Sequence, residues 1–276
     1  MFNNLEQPLM MGILNVTPDS FSDGGQYSDV NGALVQAKKM IDEGVGIIDV
    51  GGESTRPGSD PVPAEIQIQR VVPVIEAIRH ELSESIAISI DTTLSAVAKA
   101  ALDAGATLIN DISAGLQDKQ IFSLAAERNV PIVLMHIRGL PKTMQSEPYY
   151  DDVLGEVITH LRVRVELALA AGIKKHNIVI DPGIGFGKRK QDNLELLAHL
   201  DQLVNTGYTV LLGSSRKRFM GSICAAEEPK ELVSATAATT ALAVMQGVMV
   251  FRVHDVKENK QAADVAWAIK QALIKE

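Results

Sequence analysis

Two hydrophobic patterns alternate along the whole chain. Longer stretches place Val30, Leu34, Ala37 and Ile41 at three- and four-residue spacing, which is the spacing of an amphipathic helix. Short runs rich in Val and Ile lie between these stretches and are almost continuously apolar. Continuous short runs are typical of parallel strands that are buried on both faces. The pattern therefore predicts an alternation of strands and helices.

The short apolar runs number eight. They cover residues 9–14, 46–51, 86–91, 107–112, 131–136, 177–181, 209–215 and 248–253. Eight parallel strands, each followed by a helix, close into a barrel, and 276 residues is close to the usual length of such a chain. We therefore predict an α/β fold, a single-domain (β/α)8 TIM barrel over residues 1–276. An open, doubly wound sheet is the alternative.

Glycine residues mark the predicted helix ends. A residue that adopts the left-handed conformation at low cost commonly follows the last helical turn, and glycine is the usual choice. Asn129 can serve the same purpose in the one helix that lacks a glycine there. The glycines at the other helix ends are Gly44, Gly105, Gly172, Gly207 and Gly247.

Composition and charge narrow the possible partners. The formal net charge is -8, which opposes long-range attraction to nucleic acid or to an anionic membrane. The run from Leu232 to Phe251 is interrupted by Ser, Thr, Gln and Gly, so it predicts a buried helix and a strand rather than a membrane span. The single cysteine, Cys224, excludes an internal disulfide and suits a reducing compartment. We expect a cytoplasmic protein in which Cys224 is a buried thiol without a role.

Polar residues stand at the ends of nearly all the predicted strands, where the active site of a barrel lies. Each one alone is explained by a helix cap or a turn. Together they predict one polar site that binds a flat ligand with many donors and acceptors. These residues are Asn15, Asp49, Asp91, Asn110, Asp111, Met135, His136, Asp181, Ser214, Ser215, Arg216, Lys217, Arg252 and His254.

The stretch DPGIGFGKRK, residues 181–190, looks like a nucleotide-phosphate loop. The spacing excludes this interpretation, because Pro182 stands where a P-loop needs its first glycine and Arg189 where it needs Ser or Thr. Lys188 occupies the position of the third glycine in a dinucleotide fingerprint. Two other loops, 15–29 and 51–63, are rich in Gly, Pro, Ser and Asp, which is typical of mobile lids over a site.

Eight blocks of the sequence resemble the dihydropteroate synthase family. They are GILNVTPDSFSDGG, DVGGESTRPG, SIDT, NDIS, LMH, DPGIGFGK, GSSRKRF and RVHDV, in the order of that family. The resemblance implies a TIM barrel that joins 6-hydroxymethyl-7,8-dihydropterin diphosphate to 4-aminobenzoate, giving 7,8-dihydropteroate and diphosphate. It further implies Mg²⁺ as cofactor, with Asn15 as its protein ligand, inhibition by sulfonamides, and a homodimer.

The chemistry of the pterin ring supports these assignments. Its exocyclic amine and adjacent ring N–H form a donor pair that one carboxylate can accept, and we assign Asp181 to it. Asp91 and Asn110 would satisfy other ring edges, and Lys217 would donate to the ring carbonyl or a ring nitrogen. Met135 fits as an apolar wall.

The second substrate and the diphosphate have their own predicted residues. Thr55, Arg56 and Pro57 of the second lid, with Phe186, would frame the aminobenzoate ring, whose carboxylate would meet backbone N–H groups and hydroxyls near residues 215–218. Many family members have Ser after the lysine of this block, whereas Arg218 stands there in this chain. Gly213 and Ser215 are substrate-binding positions by resemblance, while Arg252 and His254 would supply charge to the diphosphate. Our catalytic candidates are Arg56, Asp91, Lys217, Arg252 and His254.

Two other functions are compatible with the same residues. A methyltetrahydrofolate-corrinoid methyltransferase shares the Asp and Asn at the strand ends, but needs neither a diphosphate site nor the loop NVTPDSFSDGG. A non-catalytic pterin-binding protein would keep the pocket without turnover. An aromatic amine is a weak nucleophile, so for the synthase we predict an SN1-like transfer in which the bond to diphosphate breaks ahead of attack.

Overall fold

The structure is a computed structural model that describes residues 2, 5–17, 25–54 and 58–274. Its eight strands are all parallel and form one closed barrel in chain order, β1 to β8. The open sheet is therefore excluded, and all eight predicted strands are confirmed. The strands are β1 (Leu9–Asn15), β2 (Ile47–Gly51), β3 (Ala87–Asp91), β4 (Leu108–Asp111), β5 (Ile132–Met135), β6 (Ile178–Asp181), β7 (Thr209–Leu212) and β8 (Val250–Val253).

Helices follow the strands and cover the outside of the barrel. The second helix continues into a π-helical turn, Ile78–Leu82, and 3₁₀ turns precede β6 and the ninth helix. The helices are α1 (Gly25–Asp42), α2 (Ala64–Ala77), α3 (Ser95–Asp103), α4 (Gln120–Arg128), α5 (Val153–Ala170), α6 (Lys190–Ala198), α7 (Leu200–Val204), α8 (Arg218–Cys224), α9 (Val233–Gln246) and α10 (Val256–Ile274). No helix among these is long and apolar enough to cross a membrane.

The predicted helix ends are confirmed. The five glycines named above have φ between +79° and +113°, and Asn129 has φ +50°. Most residues with a Cβ are strained in this conformation, and asparagine tolerates it better than most. Cys224, in contrast, is exposed at the end of α8, so the prediction of a buried thiol is wrong. Phe219 and Met220 are the buried residues of this short helix, and Cys224 is not among them because the helix lies on the outside of the molecule.

The outer and inner faces of the strands contribute to two separate apolar clusters. Residues such as Leu14, Ile48 and Ile90 belong to the large core between the barrel and the helices. A separate apolar cluster fills the barrel interior, with one residue from each strand above Phe2. Its members from the strands are Met11, Ile47, Ala87, Leu108, Val133, Val179, Leu211 and Val250.

This apolar floor determines where the polar side chains go. Because side chains on a strand alternate between its two faces, the residue two positions after each floor residue also points into the barrel. These residues are Ile13, Asp49, Ser89, Asn110, Met135, Asp181, Gly213 and Arg252. Asn15, Asp91, Ser215 and His254 follow after two further positions. The predicted site residues therefore form layers at the carboxyl-terminal mouth of the barrel.

Candidate active site

Arg252 lies at the centre of the mouth and is held by two carboxylates. Its Nε donates to Asp49 Oδ2 at 2.7 Å, and its Nη2 donates to Asp91 Oδ2 at 2.6 Å. Burial alone would lower the pKa of Arg252, but the charges of Asp49 and Asp91 outweigh burial and the pKa is raised. The guanidinium is thus a fixed cation, and its remaining N–H groups make no hydrogen bond to the described residues.

The carboxyl group of Asp91 has a raised pKa in this arrangement. Burial raises the pKa of Asp91 to about 7, against the attraction of Arg252 and with repulsion from Asp49 and Glu53. A carboxylate that titrates this close to neutrality responds to any charge placed beside it. A developing positive charge on a ligand would favour its ionised form.

Asp49 orients both Arg252 and Asn110. The Asn110 Nδ2 donates to Asp49 Oδ2 at 3.3 Å. The carboxylate can only accept, so the amide nitrogen of Asn110 must face it. The amide oxygen of Asn110 is therefore left as an acceptor for a ligand. Asp49 is fully buried. Its Oδ1 has no hydrogen-bond partner in the described part of the chain, and neither has Ser89 Oγ on the adjacent strand.

The Asp181 carboxylate has one oxygen engaged and one directed at the pocket. Oδ1 accepts the backbone N–H of Gly183 at 2.7 Å. A Cβ placed on Gly213 would lie 3.6 Å from Oδ2 and 3.9 Å from Arg252 Cβ, so the absent side chain of Gly213 leaves room beside both groups. Burial raises the pKa of Asp181 to about 6, although the Gly183 N–H and the charge of Lys217 oppose the shift.

The ammonium group of Lys217 lies over an aromatic ring. Its Nζ is 4.1 Å from the centroid of the Phe186 ring, within cation–π range. Burial and the neighbouring Arg252 lower the pKa of Lys217 to about 8, against the attraction of Asp181 and Asp91. Lys217 immediately precedes α8, which begins at Arg218 as the predicted carboxylate subsite requires.

Met135 lies in a buried apolar cluster at the mouth, and its role as a wall of the ligand site stays a prediction. The side chain is 3% exposed and packs in a small cluster with Ile112, Met144 and Phe186. This cluster is separate from the barrel floor. An apolar wall facing the Asp181 and Lys217 side of the mouth suits a flat aromatic ligand.

Ser215 and His254 form a hydrogen-bonded pair beside Arg252. The backbone N–H of His254 donates to Ser215 Oγ at 3.2 Å, and Ser215 Oγ lies 3.0 Å from His254 Nδ1. When the Ser215 hydroxyl donates to Nδ1, the ring proton is on Nε2, and His254 can donate it to a ligand. Burial and the charges of Arg252 and Arg216 lower the pKa of His254 to about 3. This lowered pKa favours the neutral imidazole, and the role of His254 toward the diphosphate stays a prediction.

Asn15 lies at the end of β1, which pairs with β8, and it is close to Asp91. A Cβ placed on Gly51 would lie 3.6 Å from Asn15 Oδ1 and 3.7 Å from Asp91 Oδ2. An amide and a carboxylate oxygen therefore flank one point. Thr55, Arg56 and Pro57 lie outside the described residues, as do residues 18–24 of the first predicted lid, so their roles stay predictions.

Two polar residues of the site had no assigned role at the sequence level. Asp49 was visible as a strand end, but its contact with Arg252 joins residues that are 203 positions apart. Lys188 is 3% exposed and donates to the carbonyl groups of the Gly183–Gly187 segment. In the sequence, Lys188 is marked only by its place in the DPGIGFGK block, and this place does not predict that its side chain is buried.

The fold and this mouth define a pterin-binding barrel. The family model described as pterin binding enzyme matches residues 11–254. Over 260 residues the chain is 46% identical to the dihydropteroate synthase of Synechocystis, covering 94% of this chain and 89% of that protein. It is 48% identical to a probable bifunctional folylpolyglutamate synthase/dihydropteroate synthase of Haloferax volcanii and spans 30% of that protein's length.

Solved structures agree with these relatives. The dihydropteroate synthase of Clostridium difficile, crystallised in the presence of pteroic acid, superposes with a TM-score of 0.91 at 42% identity over 98% of this chain and 99% of that chain. The Yersinia pestis synthase with a sulfonamide drug gives 0.90 at 42% identity over 97% and 96%. The Xanthomonas albilineans synthase with 4-aminobenzoic acid gives 0.89 at 43% identity over 96% and 94%. The chain belongs to the dihydropteroate synthase family, which are transferases of folate biosynthesis.

Proposed function

We propose that the chain joins 6-hydroxymethyl-7,8-dihydropterin diphosphate to 4-aminobenzoate and releases diphosphate and 7,8-dihydropteroate. The observation that carries this proposal is one buried mouth that combines the Asp181 carboxylate with the cations of Lys217 and Arg252. The single cysteine suits a reducing compartment, and we place the enzyme in the cytoplasm.

The pterin ring would bind between Asp181 and Lys217. Asp181 Oδ2 and a remaining lone pair of Oδ1 accept the paired N–H donors, since Gly183 occupies only one acceptor position. Lys217 donates to the ring carbonyl or a ring nitrogen, and Asn110 offers its amide oxygen. An analogue that cannot make these bonds would leave buried polar groups unpaired, at a cost of about 1–3 kcal/mol each. Met135 covers one face of the ring.

The transfer step breaks one bond and forms another. The C–O bond between the pterin methylene and the diphosphate breaks, its electron pair leaves with the diphosphate, and the amine nitrogen then bonds to the methylene carbon and loses a proton. Arg252 and His254 Nε2 would stabilise the leaving oxygen atoms by charge and hydrogen bonds, with Ser215 orienting the His254 ring. Asp91 would stabilise the cationic methylene, because its poised carboxylate is then favoured in the ionised form.

Magnesium fits the oxygen atoms on the Asn15 side of the mouth. A hard, octahedral ion keeps several waters and takes few protein ligands. Asn15 Oδ1, together with diphosphate oxygens, would hold the ion. When bound, Mg²⁺ would neutralise charge on the diphosphate.

The deciding experiment mixes the purified protein with the pterin diphosphate, 4-aminobenzoate and Mg²⁺ and follows both products by chromatography. We expect dihydropteroate and diphosphate to form together, only when the amine is present, and to decrease with chelator or a sulfonamide. Tight pterin binding without product would support a non-catalytic binding protein. Methyl transfer to a cobalamin without diphosphate release would support the methyltransferase.

The activity is expected to fall at alkaline pH because Lys217 loses its proton. Its lowered pKa of about 8 means that the donor is present below this pH and lost above it. We expect kcat/KM for the pterin diphosphate to decline above pH 8, and Lys217→Arg, which stays protonated, to move that decline upward whatever its effect on the maximal rate. A decline at unchanged pH in the variant would assign it to a different group.

We also propose a homodimer that forms through α9 and α10. Each of these contacting helices presents exposed apolar side chains, with Leu242 65% exposed on α9 and Val265, Ile269 and Leu273 54–65% exposed on α10. Exposed apolar surface of this kind marks interaction sites. Light scattering should show a dimer that Ile269→Glu weakens, whereas Val163→Glu on exposed α5 leaves it intact. A monomeric wild type would contradict the proposal.

A further inference from the structure

Lys188 is a buried cation that the proposed reaction does not use. Its Nζ lies 2.9 Å from Gly183 O, 3.2 Å from Phe186 O and 2.9 Å from His136 Nδ1. An ammonium group has three protons to donate, so each proton has one close acceptor. Such a fully satisfied set compensates for much of the cost of burying the charge.

His136 is chemically suited to accept from this lysine. Burial, assisted by the charge of Lys188, lowers the pKa of His136 to about 2. The imidazole is therefore neutral, and with Nδ1 facing the ammonium its proton resides on Nε2. Burial also lowers the pKa of Lys188 to about 7, while the charge of Asp181 and the three acceptors favour the protonated form.

Three of the five residues in the 183–187 loop that Lys188 holds are glycines, and only Ile184 and Phe186 contribute side chains to the apolar packing. Gly183, Gly185 and Gly187 have φ values of +67°, +80° and +63°. A Cβ on Gly183 would collide with His136 O, and one on Gly187 would collide with Arg138 O. The backbone of 183–187 therefore lies directly on the segment after β5. Glycine permits this close approach but also leaves a backbone with many alternative conformations.

The two carbonyl groups that Lys188 binds are the two ends of one turn. Phe186 N donates to Gly183 O at 3.1 Å, closing residues 183–186 into a turn. At its start, Gly183 N holds Asp181 Oδ1, and at its end the Phe186 ring lies under Lys217 Nζ. Fixing both ends of the turn therefore fixes the position of the Phe186 ring relative to the Lys217 ammonium.

We propose that Lys188 is a positioning residue that holds the 183–186 turn so that Phe186 and Lys217 form the edge of the aminobenzoate subsite. The proposal rests on the proposed function, because it assigns Phe186 to the second substrate. Asp181 depends less on Lys188, since it belongs to β6 and its carbonyl accepts the N–H of His136 at 3.0 Å. Loss of Lys188 should therefore affect the amine more than the pterin.

The test compares Lys188→Met with the wild type. Methionine keeps most of the length and removes all three donors. We expect KM for 4-aminobenzoate to rise about tenfold, since displacing a positioned group by 1 Å can cost up to about 10²-fold. The Kd of the pterin diphosphate, measured by calorimetry with Mg²⁺, should change less than about threefold, since Asp181 is held mainly by the sheet.

Two matched controls separate positioning from general stability. Arg164 is also a buried cation that holds a backbone carbonyl, with Nε 2.7 Å from Ala114 O in the loop after β4. Arg164→Met should lower Tm without changing the KM for the amine. Lys190→Met, at an exposed neighbouring position, should change neither. If Lys188→Met lowers Tm but leaves the KM for the amine unchanged, as in Arg164→Met, the proposal is overturned.

A double-mutant cycle tests whether Lys188 acts through Phe186. The effects of Lys188→Met and Phe186→Leu on the KM for the amine should be less than additive, because both disturb the same ring. Additive effects would contradict the proposal.

A second variant serves if Lys188→Met does not fold. His136→Leu removes only one of the acceptors of Lys188 and should give a smaller rise in the KM for the amine. No rise would overturn the proposal. A wild type without product would instead contradict the proposed function.

Discussion

Arg252→Met is expected to lower kcat/KM by about 10³-fold or more. Removing one preorganised donor from a developing anion typically costs about 10²–10³-fold, and Arg252 is both a donor and the fixed cation of the mouth. The loss should be largest in kcat, because the charge on the diphosphate develops in the transition state. Steady-state kinetics with both substrates varied would measure it. Equal activity in the variant would exclude Arg252 from leaving-group stabilisation.

The same substitution should make stability depend on pH. It leaves Asp49 and Asp91 buried without their cation, which costs about 3–5 kcal/mol when both stay charged. Burial already raises the pKa of Asp91 to about 7, and without Arg252 it should rise further. A raised folded-state pKa means that the folded protein binds protons more tightly than the unfolded chain, so stability falls as pH rises from about 4 through this pKa.

Denaturant unfolding at pH 5.5 and pH 8 would measure this dependence. We expect Arg252→Met to lose much more of its free energy of unfolding between these pH values than the wild type loses. Arg252→Lys is the control, because it keeps a cation near both carboxylates but cannot make the forked contacts. It should recover most of the stability and little of the activity.

Asp181→Asn should weaken binding of the pterin diphosphate at least tenfold. Gly183 N donates to Oδ1, so the amide oxygen of the variant would stay at that position. The NH₂ group then replaces Oδ2 and faces the N–H donors of the pterin. Two opposed donors leave a buried group unsatisfied, which costs about 1–3 kcal/mol, equivalent to roughly 5- to 150-fold in affinity.

Calorimetry with and without Mg²⁺ would measure the affinity. Asp111→Asn is a matched control, because Asp111 is also a fully buried strand-end aspartate but accepts from Ser113 and Gly115 within its own loop. It should lower the free energy of unfolding without weakening pterin binding. Unchanged affinity in Asp181→Asn would remove Asp181 from the pterin site.

The electrostatics of the mouth explain why these substitutions should have large effects. Asp91, Asp181 and Lys217 have pKa values of about 7, 6 and 8, all shifted toward neutrality mainly by burial. Only Arg252 is a permanent cation among them. These three groups can therefore gain or lose a proton when a ligand binds. Such a ligand carries diphosphate charge at one end and neutral ring donors at the other.

Local sequence determined the barrel and the location of its mouth. The eight strands were visible because each is a continuous apolar run, and the helix ends because a left-handed residue is required there; both signals act within a few residues. Asn15, Asp91, Asn110, Asp181 and Arg252 could be chosen because the carboxyl-terminal end of a barrel strand faces the site. The strand ends indicated which side chains lie at the mouth, but not which of them contact one another.

Only the tertiary structure decided how those side chains pair. Asp49 and Arg252 are brought together by closure of the barrel, in which β1 joins β8, so no local pattern indicates the contact. Lys188 follows a glycine loop and precedes α6, a position typical of an exposed lysine, yet the loop encloses its ammonium against His136. Burial and the neighbouring Arg252 lower the pKa of His254, and no local pattern indicates this shift. Pairing, burial and protonation depend on groups distant in the chain, and for this physical reason they appear only when the barrel is closed.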